Sequence, residues 1–311
     1  MKLKMQDIAD ACGVSKSLVS RIISEDISLK IPLSTRNKVL EEVHRSGYIP
    51  DHNAQAMARK TTSKATSNIT ISCVTFTSNN MFGHPYFSHI MQGVMDEVEE
   101  NTCELVATLS FKELSELFDL KKFDLLPKTD GLIIFGWDGD KALMQALKQY
   151  TKYVVCMNGH FDDEADFVGS SINKTLSLGI EHLVKLGYND IGLIIGENKE
   201  NSTACLKVLH SYAIKPNNDW IVQGKYTSDV TYEKIKDLLK EKHPPRAFFA
   251  MNDEMAIGCM EAISEFGYKI PQDVAIVGHD DISMARYARV PLTTVRIYKE
   301  QIGRLAVRTL I

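Results

Sequence analysis

The sequence predicts an α/β protein in two parts. A three-helix headpiece of helix-turn-helix type, with one more short helix behind it, is followed by about 240 residues of alternating strands and helices, too large for one parallel sheet. Three observations predict this. The stretch Met5 to Ile23, MQDIADACGVSKSLVSRII, sets two apolar helical periods around a glycine. From Asn68 onward, short apolar runs alternate with amphipathic stretches, as in parallel sheets covered on both faces. The charge is also split. Residues Met1 to Thr66 hold 11 Lys and Arg against 7 Asp and Glu, a net +4, and the remainder holds 25 against 33, a net −8.

In the first helix Ile8, Ala9 and Cys12 form the apolar face, and Ala9 is small where a partner helix must cross. Gly13 follows, suited to a left-handed backbone. Val14 plugs the turn, and Ser15 is placed to cap the second helix through its hydroxyl. Leu18, Val19 and Ile22 close the small core, leaving Lys16, Ser17, Ser20 and Arg21 on the polar face. A third helix spans Ser34 to Arg45, with Val39, Leu40 and Val43 inward, and Gly47 ends it. An ordinary pair of core helices is the alternative. The polar face of the second helix argues against it, because it leaves nothing apolar for a large core to cover. The unit fits a headpiece whose second helix enters a DNA major groove.

The stretch Asp51 to Lys64 is small and polar, with one short helix, Asn53 to Arg59, made apolar by Ala54, Ala56, Met57 and Ala58. Taken alone it is a linker. Beyond it, strands are expected at Ile69–Phe76, Glu104–Leu109, Gly131–Phe135, Tyr153–Met157, Ile191–Ile195, Ala247–Ala250 and Val274–Val277. Helices are expected between them, at Phe87–Glu100, Lys112–Lys122, Lys141–Gln149, Lys174–Leu186, Val230–Lys242 and Asp253–Phe266. The final EQIGRLAVRTLI reads as mid-helix.

Composition excludes several classes. The 311 residues are 44% hydrophobic and 24% charged, ordinary for a globular protein. No apolar run reaches membrane-spanning length, and MKLKMQDIAD lacks a signal-peptide core, so a cytoplasmic protein with no membrane partner is expected. The six Cys show no metal-binding spacing and read as reduced structural thiols, with no metal or cofactor expected. GxGxxG, Walker, GxSxG and HExxH motifs are absent, which argues against an enzyme and leaves no candidate catalytic residue.

QDIADACGVSKSLVSRI, followed by STRNKVLEEVHRSGYIPDHNAQAMAR, resembles the opening of the LacI/GalR family of bacterial transcription regulators in motif order and spacing, and the likeness extends over nearly the whole chain. The resemblance implies a headpiece over residues 1–50, a hinge helix and linker over 51–68, and an effector-binding and dimerisation body over 69–311. The body would be two doubly wound α/β subdomains of periplasmic-binding-protein type, 69–159 with 292–311 and 160–291, crossed near Gly159 and near Pro291. The family runs on somewhat beyond the point where this chain ends.

Lys16, Ser17 and Leu18 open the second helix, with Ser20 and Arg21 one turn on, where side chains reach base edges. The resemblance implies that Lys16 and Ser17 choose the operator sequence and that Arg21 contacts a base. Arg pairs with guanine in bidentate fashion, and Lys16 alternatively touches only phosphate. Thr35, Arg36 and Asn53 are expected on the DNA backbone. The resemblance further implies that Met57, where the family has Leu, wedges into the minor groove. One headpiece buries too little for tight binding, so a homodimer on a near-palindromic operator is expected.

Effector contacts are sought off the carboxyl ends of strands. Tyr86 and Phe87, in HPYFSHI, open a helix there; they stack on a ring or simply pack. Asn252, in AMNDEMA, offers donor and acceptor, whereas its neighbour Asp253 suits a helix cap. Asp280 and Asp281 end another strand, as hydroxyl acceptors or as turn-formers. The resemblance favours Asn252 and Asp280, and adds Tyr226. It also shows two departures. The Arg and, three residues on, the Gly that the family often carries after Ile191–Ile195 are not in register in GENKENSTACLKVLHSY, and Ser171 and Ile172 stand where an Asp-Asn pair is usual. Either the effector is unusual, or Lys174, Asn201 or His84 compensates. The reading is a transcriptional repressor controlled by a small effector, a sugar or sugar derivative; the alternatives are a nucleobase-like corepressor and a protein coeffector.

Overall fold

A computed structural model describes residues 5–23, 31–46, 69–75, 84–119, 128–136, 140–157, 165–196 and 199–311. The chain divides into two compact units, Met1–Thr66 and Ser67–Ile311.

In the first unit, α1 is Met5–Cys12, α2 is Lys16–Ile23 and α3 is Leu33–Ser46. Gly13 takes φ +67°, and Val14 N–H reaches back to the Ala9 carbonyl at 3.0 Å, so the turn is closed by backbone bonds. The core comprises Ile8, Ala9, Cys12, Val19, Ile22 and Val39, with Val14, Leu18 and Val43 half-buried around it. Leu40, expected inward, is 42% exposed. Val39 and Val43 are four residues apart and share one stripe, and Leu40 lies about 100° round the helix from Val39. Lys38 Nζ donates to the Cys12 carbonyl at 3.0 Å, placing a cation at the C-terminal end of α1.

The second unit contains β1 Thr70–Thr75, α4 Pro85–Glu100, β2 Glu104–Ser110, α5 Phe111–Asp119, β3 Gly131–Phe135, α6 Lys141–Tyr150, β4 Tyr153–Met157 and β5 Asp166–Val168. There follow α7 Ile172–Lys185, β6 Ile191–Ile195, α8 Lys199–Ser211, β7 Ile221–Gln223, α9 Ser228–Leu239, β8 Ala247–Ala250, α10 Asp253–Glu265, β9 Ala275–Asp280, β10 Thr293–Arg296 and α11 Lys299–Leu310. All strand pairs are parallel, in two five-stranded sheets ordered β2-β1-β3-β4-β5 and β10-β9-β8-β6-β7. Counted along the chain, both follow the same doubly wound order. The central strands are apolar throughout (GLIIF, IGLII and AFFA are buried at every position) because helices cover both faces.

The seven expected strands are present, and three more, β5, β7 and β10, lie at sheet edges. Two of these move the boundaries between the sheets. β5 pairs with β4, so the chain stays with the first sheet through Val168 rather than leaving near Gly159. β10 pairs with β9, so it stays with the second sheet through Arg296 rather than returning near Pro291. The helix α8, which buries Ala204, Cys205 and Leu209, was also not among the expected elements.

Among the described residues, Ile297 and α11 return to the core of the first sheet, and α11 packs against β4 and, most extensively, α4. A Cβ on Gly93 would stand 2.0 Å from the Glu300 carbonyl oxygen, and one on Gly303 would stand 2.0 Å from that of Ile90. The two helices therefore touch backbone to backbone. Beside this contact Glu97, almost fully buried, accepts from Arg308 Nε at 2.8 Å and Arg304 at 3.1 Å. Burial alone would raise the Glu97 carboxyl, but the Arg308, Asn101 and Arg304 donors hold it below the ordinary carboxylate range. No helix among the described residues is long and apolar enough to cross a membrane.

Candidate DNA-reading and effector sites

In the headpiece, Ser15 precedes α2, and its hydroxyl accepts from Leu18 N–H at 3.2 Å. Such a cap contributes about 1 kcal/mol and fixes the N-terminal end of the reading helix. Lys16, Ser17 and Arg21 are exposed on α2, and Ser20 and Thr35 are half-buried. Leu18 packs against the headpiece core, so it supports the helix and presents only an edge to solvent. Asn53 and Met57, with the whole expected hinge helix and Gly47, lie outside the described residues.

In the second unit, Tyr226, Asn252 and Asp280 all lie at the carboxyl edge of the second sheet. Gly224 N–H donates to the Ile195 carbonyl at 2.9 Å, and Tyr226 follows with φ +62°. The Tyr226 ring lies over Gly196, where a Cβ would come within 1.8 Å of it. Asn252 is 3% exposed. Its Nδ2 donates to the Tyr226 carbonyl at 3.1 Å, and its Oδ1 accepts from Met255 N–H at 2.9 Å.

Asn252 is therefore the cap of α10, the role expected of Asp253. With one donor and one acceptor position already used, it keeps one of each. Asp253 is fully buried one residue inside the helix. Its Oδ2 accepts from Ile282 N–H at 2.8 Å and its Oδ1 from the Thr294 hydroxyl at 2.5 Å. Burial pushes its carboxyl up to about 6, against the pull of those two donors.

Asp280 ends β9 with φ +114° and 7% exposure, and its Oδ1 lies 2.8 Å from His279 Nδ1. Burial raises its carboxyl, opposed by His279, Lys299 and His84. That His84 contributes places it within electrostatic reach of Asp280, from the opposite subdomain. His84 caps α4, with Nδ1 accepting from Tyr86 N–H at 3.3 Å, so Tyr86 and Phe87 open the helix at the switch point of the first sheet. Both rings are half-buried against that sheet's core, edge to face with centroids 5.2 Å apart. Lys174 is exposed in the first turn of α7 and Asn201 is half-buried on α8.

Three participants were not anticipated: His279, Thr294 and Lys299. His279 is 5% exposed, and its Nε2 has no hydrogen-bond partner among the described residues. Lys299 is the first residue of α11, and its ammonium donates to the carbonyls of Asp280, Asp281 and Ile297. A lone Lys or His in sequence reads as a surface residue, and only the fold buries these. A cavity of about 440 Å³ opens at the crossover beside them, lined by Arg286, Tyr287, Arg296 and Tyr298 among others, and contains none of the five predicted effector residues. All six thiols are free. Burial pushes those of Cys73 and Cys205 up to about 12, as expected of structural rather than reactive cysteines.

A capped helix-turn-helix on one unit, and two parallel sheets of like topology on the other, fit a DNA-binding regulator with a ligand-binding body. Profiles described as "Bacterial regulatory proteins, lacI family" and "Periplasmic binding protein-like domain" match residues 4–51 and 180–311. The transcriptional repressor MelR of Bacillus subtilis is 29% identical over 99% of this chain and 90% of its own length. The Lac repressor dimer bound to operator and the anti-inducer ONPF superposes with a TM-score of 0.67 at 22% identity, over 100% of this chain and 92% of that one. A LacI family regulator from Enterococcus faecium with bound ribose superposes at 0.64 with 25% identity, over 78% of this chain and 88% of that one. The chain is thus similar at its N-terminus to the DNA-binding part of lacI-family regulators, and over nearly its whole length to a transcriptional repressor.

Proposed function

We propose that this chain is a cytoplasmic repressor that binds a near-palindromic operator as a homodimer, and that a sugar or sugar derivative bound between the two sheets sets its operator affinity. The supporting observation is the buried Asp280 carboxylate at a strand end. Tyr226 and Asn252 share its sheet edge, and His84 is within electrostatic reach from the other subdomain. An ionised carboxylate accepts from two hydroxyls at once, which suits a polyol better than a flat base. Lys16, Ser17, Ser20 and Arg21 read the major groove, Leu18 supports them, Thr35 and Asn53 touch phosphates, and Met57 wedges in the minor groove. Effector binding selects one closure of the two subdomains and so the spacing of the paired headpieces, a coupling of about 1–3 kcal/mol.

A thermal-shift screen tests the effector reading, with D-ribose and a panel of sugars, sugar acids, nucleosides and nucleobases. A sugar that binds only the folded state adds about 2.7 kcal/mol of stability at a hundredfold excess over its Kd. The Asp280→Asn variant should lose that gain. A nucleobase hit with every sugar silent would replace the sugar by a corepressor.

A further inference from the structure

Lys299 occupies an unusual place for a lysine. It is 7% exposed, and burial holds its ammonium below the ordinary lysine range. A buried ammonium is costly unless its donors are used. Here they are aimed at backbone: the carbonyls of Asp280, Asp281 at 3.0 Å and Ile297 at 3.5 Å.

Two of those carbonyls belong to a strained turn. Asp280 and Asp281 take φ values of +114° and +53°, consecutive non-glycine residues in a region side chains rarely adopt. Asp281 is further held by Arg296, which donates to its carboxylate, and by its own N–H, which donates to Thr294 Oγ1 at 3.3 Å. The turn aims the one carboxylate that the effector reading depends on, and Lys299 is the cation on which its carbonyls converge.

The same residue begins α11, and α11 lies backbone to backbone on α4 at Gly93 and Gly303. The N-terminus of α4 carries His84, Tyr86 and Phe87, which the effector reading sets on the opposite wall of the crevice. One ammonium therefore joins the turn that ends β9 to the helix pair bearing the other wall. We infer that Lys299 is the positioning residue of the effector crevice: it fixes the backbone of Asp280 and ties it to the α11–α4 pair, so that a shift at either wall is felt at the other. The inference takes its functional meaning from the effector reading above.

Hydrogen exchange followed by mass spectrometry on the full chain tests it without any effector. In Lys299→Met, exchange should rise about tenfold in residues 279–283 and also in residues 88–92 at the start of α4. Lys299→Arg, which keeps charge and donors, should restore both. Faster exchange confined to residues 279–283 would reduce Lys299 to a local clamp and overturn the inference, as would no change at either wall. If Lys299→Met does not fold, Lys299→Gln, which keeps two donors and loses the charge, gives the same comparison. A failed sugar screen with coupled exchange intact would remove the effector reading and leave the link. A sugar hit with uncoupled exchange would do the reverse.

Discussion

At the scale of single residues, the least predictable feature was the division of labour between Asn252 and Asp253. Both residue types cap helices, and in AMNDEMA either could be the first outside α10. The choice is made by tertiary contacts. Thr294 and Ile282, some 30 to 40 residues away, supply donors to a fully buried Asp253, which fixes it one place inside the helix. The arrangement has a pH signature. The Asp253 carboxyl sits at about 6 in the folded chain, above its ordinary 3.8. The folded state therefore takes up a proton that the unfolded state does not, and the resulting stability is present below 3.8 and lost as pH rises through about 6. Between about pH 5 and 7 the wild-type should lose about 1 kcal/mol that Asp253→Asn does not lose. Asp280 shifts in the same direction but remains in both proteins, and Glu97, held low, titrates below this window. Denaturant melts of both proteins at pH 5 and 7 give the difference. Parallel pH profiles would mean that Asp253 stays ionised throughout.

At the scale of elements, legibility followed burial. The central strands announce themselves as unbroken apolar runs because both faces are covered, and the headpiece does so because turn, cap and apolar periods coincide. The three missed strands, Asp166–Val168, Ile221–Gln223 and Thr293–Arg296, are short and mixed in polarity because an edge strand is only half enclosed. Those edges hold the sheet boundaries, so the subdomain limits were misplaced while the topology was not. The α4–α11 contact was equally hidden, since nothing in EQIGRLAVRTLI shows that Gly303 meets another backbone. It yields a firm expectation. In an open helix Gly303→Ala would gain about 1 kcal/mol of propensity. Here the new Cβ stands 2.0 Å from the Ile90 carbonyl, and the helices must separate. A net loss of about 3 kcal/mol, about 6–12 °C in Tm, should follow. Leu305→Ala, on the exposed side of the same helix, should change little. A Gly303→Ala protein that melts with the wild-type would show the helix pair to be compliant rather than locked.

At the scale of the whole molecule, the charge division becomes an argument about partners. A net charge of −4 would keep the chain off a polyanion, yet the +4 of residues Met1–Thr66 against the −8 of the rest leaves one attractive unit on a repellent body. The boundary of that division coincides with the boundary between the two compact units. On this charge division the first unit, headpiece and hinge together, attracts DNA and the rest repels it, and one headpiece is too small to hold an operator tightly. Two headpieces held by a dimeric body resolve this, and salt dependence measures how many act together. A dimer touching about 6–10 phosphates should lose about 10³–10⁵ in affinity between about 50 and 200 mM salt, with log K falling linearly in log salt. Duplexes selected from a randomised pool and titrated over that range give the slope, and the same duplexes cut to one half-site should give about half of it. If the intact site already shows only the half-site slope, one headpiece binds at a time, and the homodimeric reading of this chain fails.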